Sequence, residues 1–303
     1  MVFGSCIFLN EILYRAHYKG AVKGRVHVPV VGFSDDFFVQ DNFITWCCSD
    51  NILSSLLKLR MPMVIISSCT RTGDIPDGIT IVPAENALEL FDRCIDASFR
   101  RPERDYELGS NCNIHKSAVI GNNVIIKDNC SIGANVVIGD NSVICDGAII
   151  ESNSVIGSFP FSNYHGIGNY SRHIYGGVVI GSNTHIGSCT TIDRGFTIDT
   201  QIGDGCKIGN LVEISHDVVI GNNCYITAQA AIAGNVIMGN DCYMWAKSGI
   251  VNRVHVADRT VLYATSIMTK DSKVGEELCG FPAISKEKYW RQQAMLRYLN
   301  SNL

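Results

Sequence analysis

The 303-residue chain is short of charge: Asp, Glu, Lys and Arg make up only 18% of it against 46% hydrophobic residues, and the formal net charge is a mild −4. That balance excludes a disordered chain and leaves room for a sizeable core, long enough for two domains. No long basic run is present either, so the chain lacks the electrostatic footprint by which a protein displaces counterions from a nucleic acid. Long hydrophobic runs are missing as well. No stretch approaches the roughly 18 consecutive apolar residues of a membrane-spanning helix, and the opening MVFGSCIFLNEILYRAHYKG has no basic stretch ahead of its short apolar run. The expectation is a cytoplasmic protein without a transmembrane segment. Thirteen cysteines are present, yet none falls in a CxxC pair or a Cys/His cluster with zinc spacing. No metal site is expected from them, and a reducing compartment is.

What the chain has instead is a period. An aliphatic residue stands at every sixth position from Leu108 through Ile114 and Ile120 to Ile156, and the phase resumes at Ile180, Ile186, Ile192 and Ile198. It then skips to Ile202 and holds through Ile220, Ile232, Met244 and Leu262 to Met268 and Val274. Each aliphatic is commonly followed by Gly, two polar residues and a small residue, as in IGNNVI (120–125) and IGNNCY (220–225); Cys112, Cys130, Cys206, Cys224 and Cys242 occupy that small place. A six-residue period suits neither the 3.6 of a helix nor the turn spacing of a hairpin array. It suits a coil of short strands joined by tight turns, with the aliphatic pointing inward at about 1.5 to 3 kcal/mol per buried Ile. Gly and Asn at the turns supply close-packed or left-handed backbone.

Between Ile156 and Ile180 the phase is interrupted by GSFPFSNYHGIGNYSRHIYGGVV, a stretch of aromatics, Gly and His whose length inside a solenoid reads as a functional loop. Residues 1–105 lack the repeat and read as a small α/β domain. RVHVPVVGF (25–33), FITWCC (43–48) and MVIISS (63–68) are predicted strands; DNILSSLLKL (50–59) and ENALELFDRCI (85–95) are predicted helices, started by Asp50 and by the Pro83-Ala84-Glu85 turn. RRPERDYE (100–107) is the linker, and the repeat domain runs over 106–280 with a loop insertion at 157–179. In the tail, 281–303, Pro282 halts extension and Ser285 is placed to cap a helix.

The motifs IGSCTTIDRG (186–195), EISHDVVIG (213–221), AIAGNVIMG (231–239) and GFPAISKEKYWRQQAML (280–296) resemble those of the UDP-3-O-acylglucosamine N-acyltransferases of lipid A biosynthesis and related nucleotide-sugar N-acyltransferases. The resemblance covers about residues 20–300, weakly in the first hundred. It implies a mainly β fold: a left-handed parallel β-helix behind a small α/β nucleotide-binding-like domain, followed by a C-terminal helix and assembled as a homotrimer. It also implies an enzyme that moves an acyl group from an acyl carrier protein or coenzyme A thioester to the amino group of a nucleotide-linked amino sugar, with no permanently bound cofactor.

The resemblance makes His216 the general base, and the chemistry calls for one, since an amine attacking a thioester must shed a proton and imidazole titrates near neutrality. Gly234 lies one coil further on and so stacks beside His216; the resemblance gives its N–H to the oxyanion of the tetrahedral intermediate. Asp217 and Asn210 are candidates to orient the imidazole or bind sugar, a solvated-turn role being equally compatible with both. Where the family has a second active-site His, this chain has Arg253, a permanent cation that cannot do acid–base work but can bind a phosphate or carboxylate. His255 nearby is read as surface. Trp46 and Ser49 align with the family's uracil site, Trp46 as a stacking platform and Ser49 in place of an Asn, which leaves the nucleobase open. Lys286, Lys288, Arg291 and Arg297 of the tail are available to an acidic carrier protein. Two other readings stay open: an acetyl-CoA-dependent N-acetyltransferase on a dTDP- or UDP-linked amino-deoxy sugar, and a β-helical scaffold that has lost catalysis.

Overall fold

The computed structural model describes residues 2–34, 39–69, 74–98, 104–161 and 174–301. The chain divides into two compact units, one of residues 1–102 with 162–174 and one of 103–161 with 175–303.

The first unit is a five-stranded sheet with helices. Strand β1 (Val2–Phe8) leads into helix α1 (Leu9–Arg15) and then β2 (Pro29–Phe33) and β3 (Phe43–Cys47); α2 (Asp50–Lys58), β4 (Met63–Ser67), β5 (Ile79–Pro83) and α3 (Ala87–Ser98) follow. The strands lie in chain order, β1 antiparallel to β2 and the other pairs parallel. Every residue of the β4 run MVIIS is buried, as the middle of a parallel sheet covered on both faces demands. The expected α/β character holds, with three elements added that periodicity did not reveal: β1, α1 and β5. The helix starts differ in detail from the expectation. Ser49, not Asp50, caps α2, its extended backbone letting the hydroxyl accept the Ile52 N–H at 3.4 Å. Asn86 does the same for α3, accepting the Glu89 N–H at 3.2 Å.

The second unit is the solenoid. Its strands form three sheets of ten, eight and eight, and each strand pairs in parallel with the one a full coil later, as Glu107 with Ile125 and Gln201 with Val219. We number the faces one (beginning at Glu107–Leu108), two (Asn113–Ile114) and three (Val119–Ile120). The isoleucine column is buried from Ile126 onward, with Ile132, Ile144, Ile180, Ile214 and Ile232 at 2% exposure or less, and the small residues Cys130, Ala148, Cys206, Cys224 and Cys242 fill the corners beneath it. Every cysteine described in the unit is free.

Two column members change. Ile198 is part-buried in a loop outside any strand, because the chain passes from Ile192 to Ile202 in one strand step carrying four extra residues; the ladder offset there is Thr191 to Glu213 instead of the usual eighteen. Val274 is 60% exposed, and Leu278 takes the core place by pairing with Leu262 across a shortened last coil. The stretch between Ile156 and Ile180 is likewise one strand step, now carrying an eighteen-residue excursion, so the next coil pairs Val155 with Thr191.

Strand Ile284–Ser285 turns back antiparallel, and the Ser285 hydroxyl accepts the Lys288 N–H at 3.4 Å as α4 (Lys286–Ser301) begins. The expected cap is therefore in place. No helix among the described residues is long and apolar enough to cross a membrane.

Candidate active site

The three corners of the prism differ in regularity. Along the corner between faces one and two, a ladder of Asx side chains ties coil to coil. Asn222 accepts the Asp204 N–H at 2.8 Å, Asn240 that of Asn222 at 2.9 Å, and Asp258 that of Asn240 at 2.7 Å. Such a ladder satisfies turn donors that would otherwise be left unpaired, and so it is a structural seam.

The corner between faces three and one starts the same way, with Asp140 accepting the Asn122 N–H at 2.8 Å. Then the ladder lapses. On this corner fall the excursion after Ser158, the four-residue insertion in 194–199, then His216, Gly234 and Arg253 in successive coils. All the irregularity of the solenoid's turns within its middle coils is gathered where the sequence placed its catalytic candidates.

His216 is held on three sides. Its Nδ1–H donates to Asp217 Oδ2 at 2.8 Å, with the imidazole 17% and the carboxylate 1% exposed. Asp217 sits in the left-handed region (φ 55°), which turns its side chain back under the preceding coil. There its other oxygen accepts the Phe196 N–H at 3.0 Å, while its own N–H donates to Thr200 Oγ1 at 3.0 Å. The Phe196 ring meets the imidazole edge-on, centroids 4.7 Å apart. Gly234 closes the third side: a Cβ built there would stand 2.7 Å from His216 Nε2. Ala233 and Asn235 spend their N–H groups on Ile250 O and His216 O, whereas that of Gly234 has no acceptor among the described residues.

Two more carboxyls face this corner. Asp193, 6% exposed, accepts the Ser158 hydroxyl at 2.5 Å, and burial pushes its carboxyl above the ordinary value while Ser158, His216 and Ser215 pull it down. Glu213 is raised by desolvation and by Asp193, with His216 opposing.

The remaining candidates disperse. Asp217 joins His216, but Asn210 lies one corner earlier, between faces two and three, where it accepts the Ser188 N–H at 2.9 Å as a rung of a turn ladder. The alternative of Asn210 orienting the imidazole is thereby corrected within this subunit. Arg253 is on the right corner, one coil beyond Gly234, its N–H donating to Gly234 O at 3.1 Å. His255 is exposed on face one. Of the basic tail residues, Lys286 is paired with Glu277 and lies over the Tyr263 ring, and Arg291 is paired with Glu287.

In the first unit, Trp46 lines a cavity of about 300 Å³ with Cys48, Ser68, Glu85, Asn86, Ala87 and Leu88. That is the carboxyl edge of β3, β4 and β5, beside the start of α3, where open parallel sheets hold ligands. Ser49 spends its hydroxyl on the α2 cap. Sequence reasoning assigned no role to Asp193, Arg194, Phe196, Thr200 or Ser158; the only signal was that the first two lie in TTIDRG.

Fold and repeat together make this a hexapeptide-repeat β-helix: the bacterial transferase hexapeptide (six repeats) pattern matches residues 105–140, 128–159 and 199–234. Its sequence relatives bear out the resemblance read from the motifs. It is 50% identical over 123 residues to the UDP-3-O-acylglucosamine N-acyltransferase of Saccharophagus degradans, 41% of this chain and 36% of the relative. To the enzyme of the same name from Alcanivorax borkumensis it is 51% identical over 138 residues, 45% and 41% of the two chains. The matches thus span about two fifths of the length of these curated relatives. Among solved structures, the Francisella novicida UDP-N-acetylglucosamine acyltransferase superposes with a TM-score of 0.50 at 24% identity, over 62% of this chain and 72% of that one. Another UDP-N-acetylglucosamine acyltransferase gives 0.54 at 21%, over 64% and 76%. These two support the solenoid fold.

Proposed function

We infer that the protein is an N-acyltransferase that moves an acyl group from a thioester donor to the amino group of a nucleotide-linked amino sugar. The observation that carries this reading is the Asp217–His216 pair with Nε2 turned toward Gly234. A carboxylate can only accept, so it keeps the proton on Nδ1 and leaves Nε2 the lone pair of a base. The sugar amine attacks the thioester carbonyl and Nε2 takes the proton that the new C–N bond displaces. The oxyanion that forms lies within reach of the unclaimed Gly234 N–H, and collapse expels the thiolate. Asp193 and Glu213 add negative charge suited to an incoming amine, and Arg253 offers a cation one coil away for a phosphate or carboxylate. Trp46, on the rim of its cavity, supplies a face for a nucleobase. Similarity in name supports UDP and an acyl-glucosamine acceptor.

The resemblance carries the homotrimer, with the site completed by a neighbouring β-helix, and the thioester donor and free thiols suit the cytoplasm. Acyl carrier protein and coenzyme A are both compatible donors, and the basic positions of α4 are half engaged in ion pairs. One assay separates the readings: UDP- and dTDP-amino sugars are each paired with acetyl-CoA, long-chain acyl-CoA and acyl carrier protein thioesters, and products are weighed by mass spectrometry. His216→Ala, run alongside, should lose roughly 10² to 10⁴ in turnover with thioester binding kept. No product from any pair would leave only the scaffold reading.

A further inference from the structure

Arg194 is 6% exposed, and burying a guanidinium is costly unless its donors are satisfied. Its Nε donates to Gly176 O at 2.8 Å and one of its terminal nitrogens to Asp140 O at 3.1 Å, while its Cζ lies over the Phe159 ring, 5.8 Å from the centroid. Those three contacts belong to the two roots of the excursion and to the coil before it. Phe159 is where the chain leaves face three, Gly176 is where it returns, and Asp140 is the last rung of the regular ladder on that corner.

The backbone around Arg194 makes the same connections. Its N–H donates to Ser158 O at 3.0 Å, Gly195 N–H to Gly177 O at 3.3 Å, and Tyr175 N–H to Phe196 O at 2.8 Å. Phe196 is therefore pinned at its carbonyl by the returning excursion and at its N–H by Asp217, while its ring sits against His216.

We propose that Arg194 is a positioning residue: by fastening both roots of the excursion to the 194–199 loop, its guanidinium fixes Phe196, and through Phe196 the Asp217 carboxylate, around the His216 imidazole. A lysine could keep the charge but not reach two carbonyls in different coils from one rigid fork. The excursion thereby becomes part of the active site through its roots, whatever its tip does.

This proposal rests on the reading of His216 as the base, and its test is chosen to separate the two. Arg194→Ala and Arg194→Lys are each compared with the parent by steady-state kinetics, by thermal melting, and by ¹⁵N-histidine NMR of the His216 ring, assigned with His216→Ala. The expected result for Arg194→Ala is a drop in kcat of roughly 10²-fold, the size of a small misplacement of a catalytic group. The KM values for both substrates should change little, the Nδ1–H signal should shift or broaden, and millimolar guanidinium should restore part of the activity. Arg194→Lys, which keeps a buried cation and folds if the cation alone matters, should recover only a fraction. An unchanged Nδ1–H signal in Arg194→Ala overturns the proposal, as does a loss of activity that tracks melting alone and ignores guanidinium. Should His216→Ala itself keep turnover, the base assignment fails while the ring signal still tests the link to Arg194.

Discussion

The α-hydrogen side of Gly234 faces the imidazole of His216 so closely that an added Cβ would stand 2.7 Å from both Nε2 and Cε1. Contacts that close essentially do not occur, so the ring would have to leave the place where Asp217 and Phe196 hold it. Gly234 is not in the left-handed region, so alanine there brings no backbone strain. Gly234→Ala should therefore fold and melt close to the parent while losing roughly 10²-fold or more in kcat. Parent-like turnover in this variant would mean that Nε2 is not where the chemistry happens.

Asp217 has two acceptor oxygens and both are used, one by Phe196 N–H and one by His216 Nδ1–H. An asparagine can accept with only one of them. Either the Phe196 amide loses its partner or the imidazole is driven to the tautomer with the proton on Nε2, which has no lone pair left for the amine's proton. Asp217→Asn should lose about 10² to 10⁴ in kcat with KM for the thioester unchanged. Steady-state kinetics on a correctly folded variant reads this directly, and a loss confined to KM would count against it.

The nucleobase reading and the capping reading of neighbouring residues come apart in the first unit. Stacking on an aromatic ring is worth about 1 to 3 kcal/mol per base, so Trp46→Ala should raise the KM for the nucleotide sugar roughly tenfold or more and leave the melting temperature near that of the parent. Ser49→Ala removes a cap, expected to cost about 0.5 to 2 kcal/mol of stability, without a comparable change in KM. Urea titration together with KM measurement on both variants distinguishes the roles, and a large KM effect at Ser49 would return it to the ligand.

Much of this was legible because a hexapeptide column is a direct image of the coil. Once Ile214 and Ile232 are seen to be in phase, His216 and Gly234 must stack, and they do. The same counting misled where residues were inserted. Ile198 is six beyond Ile192 and looks in phase, yet the strand step runs ten residues to Ile202; the step from Ile156 to Ile180 is a multiple of six by accident of an eighteen-residue excursion. Phe196, Thr200 and Arg194 act across those irregular spacings, so no fixed period points to them. Asn210 shows the opposite failure: close to His216 in sequence, it turns a different corner, because one strand step rotates the chain to the next face.

Asp193 gives the protein a pH dependence whose sign follows from burial. Desolvation raises its carboxyl in the folded state above the ordinary value for an aspartate, with the Ser158 hydroxyl, His216 and Ser215 opposing. Between the unfolded and folded values the folded chain holds more protons than the unfolded one, so stability falls as pH climbs from about 4 through the raised value. Above it the charged carboxyl is a standing cost. Asparagine has the same shape and still accepts from Ser158, but it has no proton to lose. Asp193→Asn should thus be more stable than the parent near neutrality, with the gap narrowing toward pH 4; Glu213, shifted the same way, leaves a residual slope in both proteins. Urea midpoints taken from about pH 4 to about pH 8 give the difference curve, in which a flat gap would show that burial does not shift Asp193, and a gap that shrinks with rising pH that it is stabilised in its charged form instead.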